Sequence, residues 1–138
     1  MSNKHEIGSL LLRVTLGIIF LAHGLDKFQG GIENTAGWFD SIGIPGFLAY
    51  VVALVELVGG IALILGFGTR IASLLLGLIM IGAIVTVQLP AGFLGGYAYD
   101  LVLLIIAVHL FLNGSKLLSL NKVLFRGKED KSTVAKSA

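Results

Sequence analysis

Four long apolar runs shape the pattern along the chain, at about residues 7–28, 47–67, 71–89 and 97–113. Each approaches the roughly 20 residues that an α-helix needs to cross a bilayer. The runs are continuous rather than alternating, so they read as helices and not as barrel strands. Gly30-Gly31, Pro45-Gly46, Gly66-Phe67-Gly68, Pro90 with Gly92, and Gly95-Gly96 punctuate them, as turn residues do. The pattern predicts an all-α membrane protein. Residues 1–121 form a four-transmembrane-helix bundle with a long loop over 29–46, and a basic polar tail follows over 122–138.

Within the runs, the few polar groups fall on stripes when residues are spaced 100° apart. Arg13, Gly17, Phe20, Gly24 and Lys27 share one stripe of the first span, with His23 beside it. Glu56, Gly60, Leu63 and Phe67 align on the second, and Arg70, Gly77, Ile81 and Gln88 on the third. Asp100, Leu103, Leu104, Ala107 and Phe111 align on the fourth, with His109 opposite Asp100. Small residues beside the polar ones are where membrane helices approach closely, so these stripes are the expected interior faces.

Composition sharpens the class. The chain is 56% hydrophobic and 13% charged, against about 25% charged in a soluble domain. It has no cysteine, which removes disulfides, thiol redox chemistry and thiolate-held clusters. Any electrons must come from elsewhere. Lys4 before an apolar run that ends in Ala22-His23-Gly24 resembles a signal peptide. Arg13 inside the run and the three later spans favour a retained helix instead.

Charge predicts the orientation. Of the ten Lys and Arg, nine fall at the termini side or the turn at Arg70, and Lys27 alone falls on the other. Positive charge marks the cytoplasmic side, so both termini are expected there, in a multi-pass protein of the cell membrane. The tail is expected to lie on anionic headgroups. It lacks the aromatic and motif context of a nucleic-acid site, and no nucleic-acid partner is expected.

Glu56 carries the sharpest chemical signal. A carboxylate near the middle of a span costs roughly 2.5–3.5 kcal/mol on insertion scales, so it should face inward and have a partner. Arg13, His23, Lys27, Gln88, Asp100 and His109 are the candidates. Depth groups His23, Lys27, Glu56, Gln88 and Asp100 in the outer half, whereas Arg13 sits nearer the cytoplasmic end. Each has a plainer role open to it. Arg13 can snorkel, Lys27 and Asp100 can anchor at an interface, and His23 and Gln88 can be packing hydrogen-bonders. His109 reads best as a satisfied histidine. No paired metal-ligand spacing occurs on one helix, and no metal is predicted. Phosphate-loop, nucleophile-elbow and dinucleotide motifs do not occur.

The motif Arg13-x3-Gly17-x2-Phe20-x2-His23-Gly24-x2-Lys27 is followed by Glu56-x2-Gly59-Gly60-x2-Leu63-x2-Gly66-x-Gly68-Thr69-Arg70 and by Asp100-x8-His109. Together they resemble the DoxX family of small bacterial membrane proteins, over about residues 10–121. Where the family tends to show Gly-x-Gly and Ser-Leu-Asp, this chain has Gly114-Ser115-Lys116 and Ser119-Leu120-Asn121. The resemblance implies a four-helix bundle and a loose association with oxidoreduction, quinones and redox partners. Its likeness to members from Gram-positive bacilli implies a link to aromatic-ring dioxygenase pathways and to tolerance of catechols and quinones.

The expectation is therefore a membrane protein that interacts with quinones or catechols and supports their detoxification. Glu56 and His23 are the expected catalytic pair, exchanging protons with substrate oxygens. Lys27, Gln88 and Asp100 are expected to bind substrate, with Trp38, alongside Phe39 and Phe47, stacking on its ring over a cavity under the loop. Arg13 is expected to join Glu56 in a structural polar network. No covalent cofactor is expected, and a quinone is the candidate ligand. The bilayer, a soluble redox enzyme and a second copy of the chain are the expected partners. The rival readings are a non-enzymatic scaffold that recruits a soluble enzyme, and a small-molecule permease.

Overall fold

The computed structural model describes residues 3–121 and 123. The elements are α1 (Asn3–Gln29), α2 (Ile32–Ser41), α3 (Phe47–Leu65), α4 (Thr69–Ala83) and α5 (Ala98–Asn113). Between α4 and α5 lie a π-helical turn (Ile84–Gln88), a 3-10 turn (Leu89–Ala91) and a second π-helical turn (Phe93–Tyr97). No strand occurs among the described residues. Among the described residues, four segments are long and apolar enough to cross a membrane: Asn3–Gln29, Phe47–Leu65, Thr69–Ala91 and Phe93–Asn113. The basic tail expected over 122–138 lies, apart from Val123, outside the described residues.

Two local departures from the expected pattern have physical causes. Pro90 ends no helix abruptly. It lacks an N–H, and in a regular helix its ring would meet the carbonyl four residues back, that of Thr86. The chain relieves this by widening into the π turn before Pro90, a known way to absorb a helix defect. Thr86 adds to the distortion by donating its hydroxyl to the carbonyl of Gly82 at 2.6 Å. The expected loop, in turn, contains helix α2. Its half-buried residues Ile32, Thr35, Ala36 and Phe39 recur at helical spacing but over ten residues only, too short a run to stand out.

The helices close into a ring. α1 packs most extensively on α3, and α4 on α5, with further contact between α3 and α4 and between α1 and α5. The core holds Leu16, Phe20, Leu63, Leu76, Met80, Leu103, Ala107 and Leu110. Gly60 sets the α1–α3 distance. A Cβ there would lie 2.6 Å from the Leu21 nitrogen and 2.8 Å from the Gly17 carbonyl, so the two backbones touch, as small residues allow in membranes. Large apolar residues such as Ile18, Val58, Ile71, Val102 and Ile105 face outward. Lipid covers them at no cost because its tails are as apolar as they are.

The interior stripes hold on α1 and, apart from exposed Phe67, on α3. On α4 the buried face is Thr69, Ala72, Ser73, Leu76, Gly77 and Met80, whereas Arg70 and Ile81 are exposed. The helix turns its small residues to its neighbours, and Arg70 lies over Gly114 instead. On α5, Asp100, Leu103 and Ala107 are buried as expected, joined by Leu110, while Phe111 is exposed.

Candidate functional site

Glu56 sits at the middle of α3 and is 3% exposed. Of its six candidate partners the structure selects Lys27. The Lys27 ammonium donates to Oε1 at 3.0 Å and to Oε2 at 2.9 Å. The register explains the choice. Gly17 meets Gly60 and Ile64, and Gly24 meets Ala53 and Leu57, so Glu56 is level with His23. Lys27 starts one turn further on. Side chains tilt toward the N-terminus of their own helix, which brings its ammonium back to the carboxylate.

His23 is exposed beside this pair. Its Nδ1 lies 2.8 Å from the Ile19 carbonyl oxygen. A carbonyl only accepts, so Nδ1 carries the hydrogen, and in the neutral ring Nε2 is left as a bare acceptor. The His23 ring lies 6.4 Å from that of Tyr99, centroid to centroid, and within 20° of parallel. Asp100, next to Tyr99 in the first turn of α5, is 9% exposed. Glu56 and Asp100 both lie within coulombic reach of His23. Among the described residues no hydrogen bond reaches the Asp100 side chain. Three helices thus bring together one ammonium, two carboxylates and one imidazole. His, Asp and Glu do not gather into a metal-holding group among the described residues.

The other expected members are looser. Gln88 is half-buried in the first π turn, with no side-chain hydrogen bond to the cluster. Trp38 is 46% exposed and meets Phe39 edge-on at 5.7 Å. Phe39 is the half-buried ring of the expected cover, and Phe47 is exposed. An apolar cavity of about 80 Å³ lies elsewhere, between α4 and α5, lined by Leu74, Gly77, Leu78, Leu104 and Phe111. It contains no titratable group.

Arg13 is not in a network with Glu56. It is 1% exposed and points the other way along α1, again toward that helix's N-terminus. Nη1 donates to the Leu117 carbonyl at 3.0 Å and to the Ser115 hydroxyl and carbonyl at 3.3 and 3.4 Å. Nη2 donates to the Leu118 carbonyl at 3.0 Å. Ser119 donates its hydroxyl to the Gly66 carbonyl at 2.7 Å. The segment after α5 therefore hooks back under the bundle and is clamped by Arg13. At the same end, Ser9 and His109 hydrogen-bond at 3.0 Å, which satisfies that histidine. Tyr99 and the hook serines were not legible as site members. The signals of the hook were the Gly114-Ser115 break after an apolar run and the Ser119-Leu120-Asn121 stretch of the family resemblance.

Residues 8–89, which hold His23, Lys27 and Glu56, match the DoxX family model. The chain belongs to the DoxX family. One relative, "Putative oxidoreductase CatD" of Bacillus subtilis, is 50% identical over 94% of this chain and 96% of its own length. "Uncharacterized membrane protein Rv3486" of Mycobacterium tuberculosis is 39% identical over 62% of this chain and 56% of its own. "Inner membrane protein YqjF" of Escherichia coli is 34% identical over 54% of this chain and 56% of its own. No solved structure matches. The membrane-protein relatives and the four apolar helices together make this DoxX chain a multi-pass membrane protein.

Proposed function

We propose that this DoxX protein binds quinones or catechols at the His23–Lys27–Glu56–Asp100 cluster and supports their redox detoxification. The observation that carries the reading is the ion pair between half-buried Lys27 and buried Glu56, at 2.9 Å, with exposed His23 beside it. Ionisable groups inside membrane spans are costly and mark sites of chemistry. Here Glu56 and His23 exchange protons with substrate oxygens, the role positioned side chains play in general acid–base catalysis. Lys27 and Gln88 orient those oxygens, and Trp38 stacks at the mouth. The oxidoreductase name of the Bacillus subtilis relative supports the reading. With no cysteine in the chain, electrons come from the substrate or from a soluble redox partner. Both termini lie in the cytoplasm, which places the cluster in the outer half of the membrane.

Cells lacking the protein, complemented with variants and challenged with a catechol or a quinone, test this. Glu56→Gln keeps the shape and one acceptor, so it is expected to fold and to lose most of the protection. Glu56→Leu strands Lys27 and is expected to lose protection and stability together. A Glu56→Leu protein that folds and protects fully would overturn the reading and leave the scaffold role in its place.

A further inference from the structure

The seam between α4 and α5 is not filled. Leu74, Gly77 and Ile81 line its cavity of about 80 Å³ from α4, and Leu104, Val108 and Phe111 from α5. Gly77 leaves the gap. A Cβ there would lie 3.6 Å from that of Ala107 and 3.8 Å from the Leu104 Cδ1, so the helices touch at the floor without closing above it. Leu74, Ile81, Val108 and Phe111 are exposed and form the rims, so the cavity is a groove in the lipid-facing surface.

Arg70 stands at one end of this groove. It precedes Leu74, Gly77 and Ile81 by four, seven and eleven residues, which puts all four on one face of α4. Its side chain crosses the seam to Gly114, just past the end of α5, where its Nε lies 3.3 Å from the position a Gly114 Cβ would take. The residue is exposed. Its guanidinium makes no hydrogen bond or ion pair among the described residues. From Arg70 to Ile81 the helix rises about 16 Å, close to half of a hydrocarbon core of about 30 Å. The groove therefore runs through one leaflet, with a cation at its headgroup end.

We propose that this groove holds an anionic phospholipid of the leaflet on the side of the termini, with one acyl chain between α4 and α5 and the phosphate on Arg70. The apolar walls suit the chain, and the planar fork of a guanidinium matches phosphate oxygens. Charge favours lipid over the other possible coverings. A second copy seated symmetrically would set Arg70 against its own counterpart. The segment after Val123 has a basic excess, with Arg126, Lys128, Lys131 and Lys136 against Glu129 and Asp130.

The test places the full-length protein in phosphatidylcholine nanodiscs with a trace of phosphatidylglycerol that carries a diazirine in one acyl chain. A parallel sample carries the same chain on phosphatidylcholine. Irradiation followed by peptide mass spectrometry maps the label. Phosphatidylglycerol is expected to label residues 74–81 and 104–111 about fivefold more than phosphatidylcholine does, the scale of one basic residue near an anionic headgroup. The outward faces of α1 and α3 are expected to label equally with both. Arg70→Gln, at an exposed position, is expected to fold and to bring the two lipids level in the groove. Gly77→Val fills the floor and is expected to lower groove labelling by both. Equal groove labelling of the wild type by the two lipids overturns the proposal. So does a phosphatidylglycerol preference that survives Arg70→Gln, which would assign it to other basic residues. A groove labelled no more than α1 and α3 overturns it as well, and a dimer on size-exclusion chromatography would then give the seam to a second copy.

Discussion

Replacing Arg13 by Met would strand the acceptors it now serves, the Ser115 hydroxyl and the carbonyls of Ser115, Leu117 and Leu118. A buried acceptor left unpaired costs about 1–3 kcal/mol, and hydrocarbon offers no replacement donor. Arg13→Met is expected to lower the melting temperature in detergent by roughly 5–10 °C, as a loss of about 2 kcal/mol does in a small domain. Arg13→Lys should recover part of this, since a compact ammonium reaches fewer of the four acceptors than a planar fork. A wild-type melting point for the Met variant would show that the hook is held by something else. Glu56 was conspicuous in the sequence because a lone carboxylate in an apolar run is rare. Its partner was not, because the choice among six residues depends on a helix register that no local pattern encodes. The partners of Arg13 were hidden more deeply, since most of them are backbone carbonyls, which every residue carries.

The contact between α1 and α3 is set by absent side chains, and two glycines separate that effect from ordinary helix propensity. A Cβ at Gly60 would sit 2.6 Å from the backbone of α1, whereas at Gly82 it meets nothing within 4 Å. Gly60→Ala is expected to destabilise by about 1–3 kcal/mol, as overpacking does. Gly82→Ala is expected to be neutral or to stabilise by up to about 1 kcal/mol, since alanine is the better helix former. Chemical denaturation of both variants in mixed micelles checks this, and equal effects would mean that the helices do not touch at Gly60. The four spans were legible to within a few residues because length and hydropathy suffice to define them. The rotation of α4 was not, because its charged residue, Arg70, marks an interface rather than an interior. The π turns were hidden because proline reads equally as an end or as a defect to be absorbed.

An even number of crossings returns the chain to its starting side, and the Ser9–His109 and Arg13–Leu118 bonds show the two ends of the bundle segment meeting. With nine of ten basic residues assigned to that side, a reporter fused after Ala138 is expected to be active only in its cytoplasmic form. Activity of an exported reporter there would invert the molecule and move the Glu56 cluster to the inner leaflet. The clamp at this end also imposes an order in time. Arg13 is made 102 to 105 residues before the hook groups it binds. At about 5–20 residues per second, that is a wait of roughly 5–20 s. Throughout it, α1 holds a guanidinium whose protein partners do not yet exist. It must rest near headgroups or water and settle to its final depth only when the hook arrives. The first helix to be synthesised is thus the last to be finished.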